Sequence, residues 1–65
     1  MAQNRALQSS PAVVLVVESD TLRRAAKATE LRHEGFEVFE TADLAGAKAI
    51  LEAMTIDVVI SDIDI

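Results

Sequence analysis

Asp57-Val58-Val59-Ile60-Ser61-Asp62-Ile63-Asp64-Ile65 is the stretch from which the fold is read. Val-Val-Ile is a run of β-branched residues with no polar residue alternating in it. That pattern predicts a strand, β3 (residues 57–61), buried on both faces, as in a parallel sheet with helices on either side. Carboxylates follow at once. Open α/β sheets place their chemistry at the carboxyl ends of their strands, so Asp62 stands where a reactive carboxylate is expected.

Working outward, residues 12–17, Ala-Val-Val-Leu-Val-Val, predict a second buried strand, β1. Glu18-Ser19-Asp20 follows it, and Ser19 or Asp20 is suited to cap a helix. Helix α1 is expected from Thr21 to about Glu34. Its packed face would be Leu22, Ala25, Ala26, Thr29 and Leu31. Arg23, Arg24, Lys27, Glu30 and Arg32 would be solvated. Gly35 ends that helix, being free to take positive φ. The shorter and more polar stretch 36–40 suits an edge strand, β2. Asp43 would cap helix α2, in which Leu44, Ala47, Ile50, Leu51 and Met54 recur as one apolar core stripe. Gly46 inside that helix costs about 1 kcal/mol against Ala. A close approach there would account for it.

The order β1-α1-β2-α2-β3 indicates an α/β parallel sheet. Right-handed crossovers then favour the strand order 2-1-3, with β1 central. This topology gathers Glu18, Asp20, Asp62 and Asp64 at the carboxyl ends of β1 and β3. Crowded carboxylates either shift in pKa or recruit a cation, and a hard ion such as Mg²⁺ suits oxygen ligands. A carboxylate beside such an ion can act as a nucleophile toward phosphorus.

The totals bound the rest. A chain of 65 residues holds one small domain. Chains of this size bury only ~60% of the surface they expose when unfolded. The absence of cysteine excludes disulfides and thiolate metal sites. A net charge of −5 speaks against nucleic acid as a partner. No apolar run reaches the ~20 residues of a membrane span. The polar start, residues 1–11, has no signal-peptide core and is expected to be a flexible arm. A cytoplasmic protein is the default expectation. His33, alone near the end of α1, suits a charge–dipole role rather than metal ligation.

Val14-Leu-Val-Val-Glu-Ser-Asp20, Gly35-Phe-Glu-Val-Phe-Glu40 and Asp57-Val-Val-Ile-Ser-Asp62, in that order and spacing, resemble the response-regulator receiver domain of two-component signalling. The likeness spans residues 12–65. It implies a flavodoxin-like α/β fold, truncated after β3, and a non-enzymatic phosphoacceptor domain. The phosphoryl donor would be a histidine kinase or phosphotransfer protein. By position, Asp62 matches the phosphoacceptor. Glu18 and Ser19 match the acidic pair that holds Mg²⁺, and Asp64 matches the residue whose backbone carbonyl joins the metal shell. Ser19 departs from the pattern, since the family has a ligating carboxylate there. Weaker Mg²⁺ binding is therefore expected, with Asp20 as a partial substitute.

The family's β4 and β5, with their hydroxyl residue and lysine, have no counterpart in this sequence, so impaired phosphotransfer is expected. An open apolar β3 edge also predicts self-association, most simply a homodimer in which two antiparallel β3 strands join the sheets. The competing expectation is a receiver-derived assembly fragment without signalling chemistry.

Overall fold

The computed structural model describes residues 10–61. The expected flexible arm is outside the described residues up to position 9, and Asp62 and Asp64 lie outside them as well. The elements are β1 (Val13–Val17), α1 (Thr21–His33), β2 (Glu37–Thr41), α2 (Leu44–Ala53) and β3 (Val58–Ser61). All strand pairings are parallel and the order is β2-β1-β3. This is the α/β layout expected from the alternation of apolar runs. The strands differ from expectation by a residue at their ends.

Strand β1 is central because it alone is apolar at every position. Val14, Leu15, Val16 and Val17 are all buried. Alternate residues feed opposite layers. Val14 and Val16 pack with Ala28 of α1 and Val38 of β2, joined by Leu31, Phe36 and Ile60. Leu15 and Val17 pack with Ala47 of α2, joined by Phe39, Ile50 and Ile56. One helix therefore covers each face, as right-handed crossovers on either side of β1 require.

Both helices begin on an aspartate. The Asp20 carboxylate accepts the Arg23 backbone N–H at 2.8 Å, and the Asp43 carboxylate accepts that of Gly46 at 2.8 Å. These bonds satisfy amides that have no partner within the helix. Helix α1 ends with Arg32 and His33 in its last turn, where positive charge suits the dipole. Gly35 follows with φ of 99°, a conformation that costs a residue bearing a Cβ.

Three packing expectations need correction. In α1 the inward stripe is Arg24, Ala28 and Leu31, at spacings of four and three, while Leu22, Ala25, Ala26 and Thr29 are exposed. Leu22 is 80% exposed. Choosing the face by hydrophobicity alone mis-phased the helix. Arg24 turns inward because its guanidinium finds a backbone carbonyl there. In α2 only Ala47 is buried and Ile50 half-buried, whereas Leu44, Leu51 and Met54 stay exposed. The apolar stripe is wider than the surface the sheet offers it. Finally, β3 is not buried on both faces. Val58 is 46% and Val59 47% exposed, because both helices stack over β1 and β2 and neither packs on β3.

Candidate functional site at the carboxyl end of the central strand

The candidate site begins at Glu18, the first residue past β1. Its backbone N–H continues the sheet, donating to the Thr41 carbonyl at 3.0 Å. Its carbonyl accepts from Arg24 Nη1 at 2.9 Å. Its side chain turns back over the loop, and Oε2 accepts the Asp20 backbone N–H at 3.0 Å. Glu18 is only 5% exposed and is the one buried charged residue among those described. Its Oε1 is buried and accepts no hydrogen bond from the described residues.

That bare oxygen is the unusual feature. The large majority of buried side-chain polar atoms have at least one hydrogen-bond partner, because an unmet group costs about 1–3 kcal/mol and more if charged. An oxygen of this kind is satisfied by a water, a proton or a cation. Hard divalent ions take carboxylate oxygens and are content with one or two of them plus water. Glu18 thus meets the chemical requirement for a metal ligand on one oxygen, while its other oxygen and its backbone hold it in place.

The neighbours are less suited. Ser19 is exposed and carries no charge. Asp20 is exposed, and one of its oxygens is engaged as the α1 cap. No group of three or more His, Cys, Asp or Glu side chains gathers among the described residues. Of the four expected carboxylates, the structure brings Glu18 and Asp20 to one loop. The backbone of Ser61 is in register with Val17, so the carboxyl ends of β1 and β3 lie side by side. Asp62 follows Ser61 in the chain and, like Asp64, is outside the described residues.

Sequence reasoning missed a polar strap behind the site. Arg24, assigned there to a solvated face, reaches the Glu18 carbonyl and stands with its Nε 3.9 Å from Glu40 Oε1. Glu40 Oε2 in turn pairs with Arg32 Nη1 at 2.9 Å, and Arg32 Nη2 donates to the Val38 carbonyl at 2.9 Å. The signal was available in part. Arg24 and Arg32 are two helical turns apart, and Glu40 stands in register with Val16 on the face that α1 covers. His33 is exposed at the helix end and takes part in none of these pairs.

Comparisons of the chain with protein-family models, with curated proteins and with solved structures give no match. The functional assignment rests on the residues and their geometry. No helix among the described residues is long and apolar enough to cross a membrane.

Proposed function

We propose that residues 12–65 are a receiver-like phosphoacceptor unit in which Asp62 takes a phosphoryl group from a histidine kinase or phosphotransfer protein. The observation that carries this reading is the buried Glu18 Oε1 at the carboxyl end of the central strand, which accepts no hydrogen bond from the described residues. Glu18 occupies the position at which the receiver pattern places a metal-binding acid. The 2-1-3 sheet supports it further by setting the end of β3 beside that acid.

Mg²⁺ would be held by Glu18, the Asp62 carboxylate and the Asp64 backbone carbonyl, with Asp20 as a weaker contributor in place of the carboxylate that Ser19 lacks. When bound, it would neutralise charge on the phosphoryl oxygens. The remaining work belongs to the chain. Glu18, fixed through its backbone and Oε2, contributes a preset negative charge. Asp62 supplies the attacking carboxylate oxygen. A P–O bond forms to Asp62 as the bond from phosphorus to the donor breaks, and the electron pair leaves with the donor.

Intact-protein mass after incubation with Mg²⁺ and a small phosphodonor tests this. Slow and incomplete addition of one phosphoryl group is expected, in line with impaired phosphotransfer, with none on Asp62→Asn. A folded protein that gains nothing contradicts the proposal.

A second reading, assembly through β3, is favoured by a separate observation. Val58 and Val59 point to opposite faces of β3 and both are half exposed. Among the described residues the outer edge of β3 has no partner strand. Its only acidic neighbour in the described chain, Asp57, is turned inward, accepting the Val13 N–H at 2.7 Å. Among the described residues, the edge therefore lacks the free charge that usually discourages pairing. A second copy is self-complementary to it. With a two-fold axis through Val59, normal to the sheet, Val58 of one copy lies opposite Ile60 of the other on the same face. Sedimentation equilibrium at micromolar concentration is expected to show a dimer, and a folded monomer there removes this reading.

A further inference from the structure

We infer that Arg24 is a positioning residue for the Glu18 carboxylate, holding the β1–α1 turn in the shape that presents Oε1 to a cation. The inference rests in part on the proposed Mg²⁺ role of Glu18 and adds to it a residue that the receiver resemblance did not assign. The Glu18-Ser19-Asp20 turn is short, and most of its bonds are local. Asp20 N–H reaches Glu18 Oε2 at 3.0 Å, and the Asp20 side chain caps α1 at 2.8 Å. Local bonds of this kind allow the turn to move as a unit with the helix end. Two bonds tie Glu18 to the rest of the fold. One is its N–H to Thr41 in β2, and the other is its carbonyl to Arg24, six residues on. Together they fix both peptide planes flanking the Glu18 Cα, and so the direction of its Cα–Cβ bond, while the Asp20 N–H holds the carboxylate through Oε2.

The ion pairs behind Arg24 suit orientation better than stability. Arg24 and Glu40 are 3.9 Å apart and partly solvated, at 20% and 28% side-chain exposure. Pairs of that kind are worth about 0–1 kcal/mol. Their geometric effect is larger. Glu40 sits between Arg24 and Arg32, and Arg32 is anchored on the Val38 carbonyl. The strap thus runs from the edge strand β2, across the α1 side of the sheet, to the carbonyl of the candidate ligand. Residues that orient a metal ligand in this way typically change affinity by about ten- to a hundredfold when lost.

The test compares Arg24→Met, Arg24→Lys and Arg32→Met with the unaltered chain in two measurements. The first is Mg²⁺ titration followed by calorimetry. The second is hydrogen exchange of the Asp20 amide without metal, which reports the grip on Glu18 Oε2 directly. Arg24→Met is expected to weaken Mg²⁺ binding about tenfold and to speed Asp20 exchange. Arg32→Met, which cuts the strap at its far end but leaves the Arg24 bond to the Glu18 carbonyl, should shift both clearly less than Arg24→Met does while lowering thermal stability by a similar amount. Arg24→Lys, keeping a cation on a flexible stem, should fall between, and it supplies the comparison if Arg24→Met does not fold.

Equal Asp20 exchange in Arg24→Met and the unaltered chain overturns the inference, as does equal loss of Mg²⁺ binding in both Met variants. An unaltered chain that binds no Mg²⁺, yet loosens at Asp20 when Arg24 is replaced, overturns the metal role of Glu18 and leaves the positioning role standing.

Discussion

Glu18 has its backbone N–H, its carbonyl and Oε2 all engaged, while its buried Oε1 accepts no hydrogen bond from the described residues. At residue scale this is an arrangement that costs stability as long as that oxygen is unmet. Glu18→Met removes the buried charge and its unmet lone pairs. It also frees the Asp20 N–H, which lies on an exposed residue and can turn to water. Unpaired buried polar groups cost about 1–3 kcal/mol. Chemical denaturation without metal should therefore show Glu18→Met more stable by about 1 kcal/mol, and Mg²⁺ should no longer stabilise it. A variant that is less stable than the original would mean that Oε2 and its bond to Asp20 outweigh the bare oxygen. The identity of Glu18 as a candidate was legible from the chain, since an acid directly after an apolar strand is a simple pattern. Its burial and its supporting arginine were not. Both are tertiary: the Glu18 N–H meets Thr41 of β2 and its carbonyl meets Arg24 of α1 only in the folded chain.

Gly46 shows how elements rather than residues set tolerance. A Cβ placed there would fall inside contact distance of Thr41 Oγ1 and close to Thr41 Cβ and Asp43 Oδ1. The α2 N-terminus thus lies against the end of β2, and glycine is what lets it approach. By propensity alone Gly46→Ala would gain about 1 kcal/mol. The clash reverses the sign, and thermal unfolding should show Gly46→Ala to be destabilised by about 1–3 kcal/mol, the usual cost of overpacking. Thr41→Ala removes Oγ1, so Gly46→Ala should cost at least about 1 kcal/mol less in that background, a coupling a double-mutant cycle reads directly. Additive effects would contradict the contact. At this scale the sequence carried the existence and type of every element and the Asp43 cap, and it narrowed the α1 cap to Ser19 or Asp20, because apolar runs, cap residues and Gly35 are local signals. It did not carry the rotation of α1. Small residues at Ala25 and Ala26 look like core by hydropathy, yet Ala28 and Leu31 are the ones packed on β1 and β2.

For the whole molecule, the sheet is built around one strand and leaves another half covered. Both helices stack over β1 and β2, and β3 contributes only Ile60 to the core beside its pairing with β1. If a second copy covers it, Val59→Lys should abolish association, since a charge would then sit on the two-fold axis opposite itself. The monomer should remain folded, because Val59 is already 47% exposed. Sedimentation showing an intact dimer in that variant would move the interface elsewhere. The parallel 2-1-3 sheet was legible in the sequence, because β1 carries the longest unbroken apolar run and so belongs in the middle, with right-handed crossovers on either side. Which side chains are buried, which oxygen is left bare and which arginine holds it were decided by tertiary structure. Those facts depend on the rotation of α1, the reach of α2 and the closeness of β2 to the end of β1. Such long-range placements leave no period or motif in the chain, since each is set by residues far apart in sequence that meet only when the sheet forms.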